Sequence, residues 1–413
     1  MSRIHLALCI FLLTACDATT QPPPESCDSQ TDDLSPKTST SITPTATATN
    51  LVAHEWGTFT AVAGPDGAAM PWRPLIGPSD LPSFVYHQDH PGLNRPAGGK
   101  GAMKGTVRME TPVIYFYTDR PVELAAMVEF PRGALTEWYP QAPHRNWGEI
   151  NWGRFFIVPA TADNLARLPQ AGGKGHYFAA RDTDAALVRT TTADGVQHEK
   201  FLFYRGVGQF DLSLAVQLKD QRLTLQRHGA HPLAAAIVFE RRGERVGFAE
   251  ADLASASAEL PRPTLDDDVP AVIRRLEQLL VRDGLYEREA TAMTATWRDH
   301  WFEDGLRVFY LLPRPEIDAI LPLHLSPIPA ELKRTIVGRI EIVTPELEAS
   351  VRSELRVADR DALATCKALR ARHGRFAEPT LHRLGHTTLP PAEGAMLRAV
   401  LKHIADDADP CAT

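Results

Sequence analysis

The chain carries only five cysteines in 413 residues. It has neither a Cys-x-x-Cys pair nor a Cys/His cluster at zinc spacing, which excludes the familiar closed zinc motifs. A basic stripe is missing too. With a net charge of -7, the chain is not expected to be a general nucleic-acid binder. After Leu13 no apolar run approaches the roughly 18 residues that a membrane helix requires. Gly-x-Ser-x-Gly is absent, and with it the usual nucleophile elbow of serine esterases. Two glycine-rich runs, Ala97-Gly98-Gly99-Lys100-Gly101 and Ala171-Gly172-Gly173-Lys174-Gly175, fall short of phosphate loops. Asn94 and Leu168 stand where the first glycine belongs, and Gly101 and Gly175 where a Ser or Thr must follow the lysine. Both runs read as flexible turns.

What the chain does have begins at its N-terminus. A short basic start, Met1-Ser2-Arg3, precedes a nearly apolar stretch to Leu13, and Leu13-Thr14-Ala15-Cys16 follows. That layout is a signal peptide, too short to span a bilayer as a mature helix. It resembles the lipobox of bacterial lipoproteins, which implies removal of residues 1–15, lipidation of Cys16 (palmitate among its acyl chains) and anchorage in the cell envelope outside the cytoplasm. Asp17 implies inner-membrane retention where the familiar sorting route operates, but that rule varies among lineages, so the choice of membrane stays open. Residues 16–50, rich in Pro, Ser and Thr, read as a disordered tether spanning roughly 30 Å. Of the remaining cysteines, Cys366–Cys411 is the preferred disulfide, with Cys27–Cys411 as the alternative.

The expected fold class is α+β. Residues 51–252 read as a β-rich, sandwich-like domain, 253–268 as a linker, and 269–413 as an α+β domain ending in helices. Leu51–Thr60 is a strand candidate, and Thr111–Tyr117 with Val122–Phe130 is expected to form a hairpin. In the latter run Val122, Leu124, Ala126, Val128 and Phe130 recur at period two. Ala234–Glu240 and Arg245–Ala249 are joined around Gly243. Asp268 and Pro270 mark the start of a helix in which Ile273, Leu276, Leu279 and Leu280 follow helical spacing.

The most distinctive run is His54-Glu55-Trp56-Gly57-Thr58-Phe59-Thr60. Together with Arg108–Tyr117, Glu137-Trp138-Tyr139-Pro140, Glu199–Gly208 and Trp301-Phe302-Glu303-Asp304-Gly305, it resembles a functionally uncharacterised family of exported bacterial proteins. The resemblance implies an envelope protein and carries no catalytic residues. Physically, His54-Glu55 opens like H-E-x-x-H, but Thr58 replaces the second histidine, and the run alternates like a strand rather than a helix. Packing with a hydrogen-bonded His and Glu is the simpler reading. His87-Gln88-Asp89-His90 has ligands suited to a divalent metal. His228/His231 and His382/His386 are weaker pairs, the second handicapped by Pro379 and Gly385. Paired acids such as Glu137 with Glu149, or Glu303 with Asp304, lack any sign of a shared cleft.

Two functional expectations follow. The leading one is a non-catalytic binding or envelope-organising module, tied to the membrane by its lipid. Its cell-wall, carbohydrate or protein ligand would be met on a surface around Trp56, Trp138, Trp147 and Trp152, since aromatics with polar handles are typical of such surfaces. The second is a metal-dependent hydrolase, with a divalent metal held by His54, Glu55, His87, Asp89 and His90.

Overall fold

The computed structural model describes residues 47–75, 81–88, 103–170, 176–357 and 361–406. Cys16, Cys27, Cys411, Asp89, His90 and both glycine-lysine runs lie outside them. The fold is α+β. The strands in chain order are β1 (Thr47–Ala63), β2 (Ala69–Met70), β3 (Tyr86–His87), β4 (Val107–Tyr117), β5 (Val122–Glu129), β6 (Gly133–Tyr139), β7 (His144–Asn146), β8 (Glu149–Val158), β9 (Leu187–Thr192), β10 (Gly195–Glu199) and β11 (Leu202–Gly208). Then come β12 (Leu214–Lys219), β13 (Arg222–Arg227), β14 (Ala235–Arg242), β15 (Arg245–Asp252), β16 (Ser257–Pro261), β17 (Gly305–Leu311), β18 (Leu323–Ser326) and β19 (Ile328–Ile342). The helices are α1 (Ala162–Leu165), α2 (Val269–Asp283), α3 (Glu287–Trp301), α4 (Arg314–Ile320), α5 (Pro345–Glu354), α6 (Ala362–His373), α7 (Ala377–Leu384) and α8 (Pro391–Asp406).

Among the described residues the largest sheet runs β15-β14-β17-β19-β1-β4-β11-β6-β3, with β2 beside β1. Its centre is the parallel pair β1/β19, in register from Val52↔Glu331 to Ala63↔Ile342. Both strands are covered on both faces, as a central parallel pair should be. One face of this sheet carries α2 and α3. Val272, Leu276, Leu280, Met293, Trp297 and Trp301 pack there against Trp56, Val113, Phe203 and Phe309. The opposite face is covered by two smaller sheets, β10-β9-β8-β5-β18 and β12-β13-β16, whose apolar sides share a core with Phe59, Ile114, Phe116 and Ile340.

Local chemistry accounts for many boundaries. The Asp268 carboxylate accepts from the Ala271 amide at 2.7 Å, Pro270 sits in the first turn of α2, and Gly284 closes that helix at φ 113°. These are the expected start and stop devices. Gly243, at φ 62°, makes the β14/β15 hairpin.

Three expectations need correction. Residues 253–268 do not divide two domains: β17 and β19 belong to the same sheet as β1 and β4, and the described residues form one compact unit. Only α5–α8 keep a core of their own, around Val351, Leu369, Leu381 and Val400. Next, β4 and β5 do not pair as a hairpin. They lie in different sheets and face each other across the core, because β4 is buried on both sides whereas β5 has one mainly buried face. Finally, Pro379 does not prevent α7. It falls in the first turn of that helix, where no amide is needed.

The distinctive runs of the sequence prove to be neighbours. His54–Thr60 lies on β1, Arg108–Tyr117 on β4, and parts of Glu199–Gly208 and Glu137–Tyr139 on β11 and β6, four adjacent strands. Gly57 sits at a bulge where β1 passes Thr111 and Pro112. A Cβ on Gly57 would lie 2.9 Å from Pro112 Cα, so the motif glycine is required by backbone approach.

Candidate functional site

Alternation along β1 sends the motif's polar groups to opposite sides of the sheet. His54 faces α3, where its Nδ1 lies 2.7 Å from Glu289 Oε2 with both side chains fully buried. Glu289 also accepts from the Tyr117 hydroxyl and the Tyr286 amide, each at 2.8 Å. Glu55 points the other way. It receives Arg334 Nε and the Tyr204 hydroxyl, both at 2.5 Å, and Arg334 reaches on to Asp318 at 2.7 Å. Burial, and then the Glu55 carboxylate, push the Tyr204 phenol far up. His54 and Glu55 therefore cannot converge on one ion. His87 is on β3, four strands from β1 and thus roughly 19 Å away. The expected metal set is not assembled by the residues that are described.

Beneath the end of α3 lies a second buried ionic network. Thr60 donates to Glu110 at 3.1 Å, and Arg339 approaches the same carboxylate at 3.4 Å. Glu341 is held by Arg307, Arg339 and Arg375 at 2.9, 2.9 and 2.7 Å. Burial alone would raise the Glu341 carboxyl, but these guanidiniums bring it to about 2. Burial also lowers Arg339 to about 10 and His300 to about 4. Arg375 further pairs with Glu303. Three arginines thus balance Glu110, Glu303 and Glu341, with charge satisfied by charge inside the protein. This is a clasp between the sheet, α3 and the C-terminal helices rather than a pocket.

The tryptophan surface is not formed. Trp56, Trp138 and Trp152 are 0%, 1% and 2% exposed, while Trp147 is half-buried. Trp152 donates its Nε1 hydrogen to Pro140 O at 3.1 Å. Their large apolar area is closed within the two cores, which is where strand alternation between two sheets sends it. Glu137 and Glu149 lie on strands of different sheets.

Concave space appears elsewhere. Two adjoining cavities of about 350 and 340 Å³ share Asp211, Leu212 and His228. They follow the flank of the three-stranded sheet, from the end of β1 toward α4. Leu212, Leu312 and Ile320 give an apolar wall, and Arg132, Ser213, Glu316 and His231 add polar groups. Arg132 stacks over Phe210 at 5.0 Å. Glu316 Oε1 is buried without a hydrogen-bond partner, and it occupies the space that a Cβ on Gly229 would need. Ser213 Oγ lies 3.5 Å from the Tyr310 hydroxyl. Sequence reading flagged His228 and His231 here but missed Asp211, Arg132 and Glu316. Gly229 between the histidines was the available signal.

A third cavity, of about 330 Å³, brings His382 and His386 together with Trp72, Lys104 and Glu378. No group of three or more His, Cys, Asp or Glu able to hold a metal occurs among the described residues. No described helix is long and apolar enough to cross a membrane. The chain matches no protein-family model and no curated protein.

Proposed function

We propose that the protein is a lipid-anchored component of the bacterial cell envelope whose folded part is a non-catalytic binding module. Its ligand is peptide-like, cell-wall stem peptides included, and lies in the groove formed by the two adjoining cavities. The observation that carries this reading is the make-up of the groove. It joins an apolar wall to charges of both signs, Asp211 and Glu316 against Arg132. A peptide chain offers matching apolar, ammonium and carboxylate groups. The buried Glu316 oxygen without a partner favours a ligand with N–H donors, since an unmet buried acceptor is costly. The combined volume lies within the range of small-molecule sites. Leu13-Thr14-Ala15-Cys16 supports the anchor.

Calorimetric titration of soluble muropeptides into the full chain carrying Cys16→Ser tests the binding claim. Saturable binding is expected with muropeptides, and none with the same glycans stripped of their peptides. Equal binding of both, or of neither, defeats it. In cells, Cys16→Ser is expected to abolish palmitate labelling and membrane association; retention of both would refute the anchor.

A further inference from the structure

We propose that the cavity between β2 and α7 is a separate binding site for a small organic anion with an apolar body, such as an arylalkyl carboxylate. The claim goes beyond the groove and does not depend on it. The walls are apolar where they are deep: Met70 is 7% and Trp72 3% exposed, and Pro379 closes the side formed by α7. Among the polar groups, donors dominate. The Trp72 indole N–H is buried without a hydrogen-bond partner, and an indole nitrogen can only donate. Lys104, His382 and His386 line the same space. Lys104 and His386 are exposed, while the His382 side chain is 40% exposed.

The one carboxylate in the wall, Glu378, is already engaged. Both its oxygens accept from Arg73 Nε at 3.0 Å, and His382 Nε2 stands 3.7 Å away. Arg383 is likewise satisfied by Asp66 at 2.9 Å and Glu348 at 2.5 Å. The fixed charges are therefore neutralised in pairs, which leaves Lys104 as the cation and Trp72 as the buried donor. An incoming carboxylate would meet both, while its apolar body covers Met70 and the indole. A cation of the same shape would meet donors only. At about 330 Å³ the space lies near the lower end of small-molecule sites, which suits a ligand of one ring and a short chain.

The test is calorimetry on the full chain carrying Cys16→Ser, with 4-phenylbutyrate, 4-phenylbutanol and 4-phenylbutylamine as matched probes. The carboxylate is expected to bind saturably, and at least tenfold more tightly than either the alcohol or the amine. Trp72→Phe keeps the ring and removes the N–H, and is expected to weaken the carboxylate about tenfold and the alcohol by less, because a hydroxyl is the weaker acceptor. Because Trp72 is buried, the exposed Lys104→Gln provides a second measure that does not risk the fold, with a loss of similar size expected. Equal affinity for the three probes, absence of carboxylate binding at millimolar concentration, or wild-type affinity in both variants would overturn the assignment.

Discussion

Single residues decide the interior of this protein through charge and backbone approach. Gly57 has Pro112 Cα at 2.9 Å from the position of an added Cβ, and backbone cannot swing aside as a side chain can. Gly57→Ala is expected to cost about 1–3 kcal/mol, the usual price of overpacking, and to be visible as a shifted denaturant midpoint; an unchanged midpoint would contradict the bulge. Two buried groups contribute to the acid limb of stability. His300 is lowered from 6.5 to about 4 by burial, within a surround of Glu110, Arg339, Arg375 and His176. Between these values the unfolded chain binds the proton more tightly, so stability falls as pH drops from 6.5 to 4. Glu341, lowered from 4.5 to about 2 by its arginines against the pull of burial, contributes stability above 4.5 that is lost as pH falls toward 2. His300→Asn is expected to make the fall in the first window shallower and leave the second, since His198 and His373, also lowered by burial, remain. Urea unfolding across pH 7 to 3 measures both, and a His300→Asn profile parallel to the wild type would remove the assignment.

Elements show where the sequence was readable and where it was not. The α2 helix was legible because its cap and apolar spacing agree. The β14/β15 hairpin was legible through Gly243. By contrast, β12 and β13 turn through Asp220 and Gln221 at φ 49° and 62°, and a turn without glycine gives no hairpin signal. The α4 helix, seven residues long, is too short for a helical period to declare itself. Partnership is harder still. The alternation of β5 shows one buried face but not which sheet it joins, so β4 and β5 read as a hairpin when they are opposite walls of one core. For the same reason the tryptophans read as a surface although Trp56, Trp138 and Trp152 lie inside. The groove was nearly invisible in sequence, since Arg132, Asp211, His228 and Glu316 meet only through tertiary packing. At this scale Cys366, in α6, is disulfide-bonded, with its partner outside the described residues. Reduction is expected to destabilise α5–α8 by about 2–4 kcal/mol, seen as faster hydrogen exchange in those helices while β1 and β19 stay protected. Unchanged exchange in α5–α8 would contradict it.

The described residues are organised around one sheet. Because β19 pairs with β1 along most of its length, neither 51–252 nor 269–413 can complete the central pair alone. Separately expressed, each fragment is expected to lack a cooperative thermal transition; an independently folded 51–252 would restore the two-domain reading. The groove exists because two small sheets, not one, cover the face away from α2 and α3, leaving a channel along the flank of the three-stranded sheet. The most direct measurement fills that channel. Ala215→Trp on β12 and Ala319→Trp on α4 each place an indole in the groove from a position that is not fully buried. Titrated with soluble muropeptides, both variants are predicted to keep the wild-type unfolding midpoint and to lose at least tenfold in affinity. Wild-type affinity in both filled variants would contradict the account.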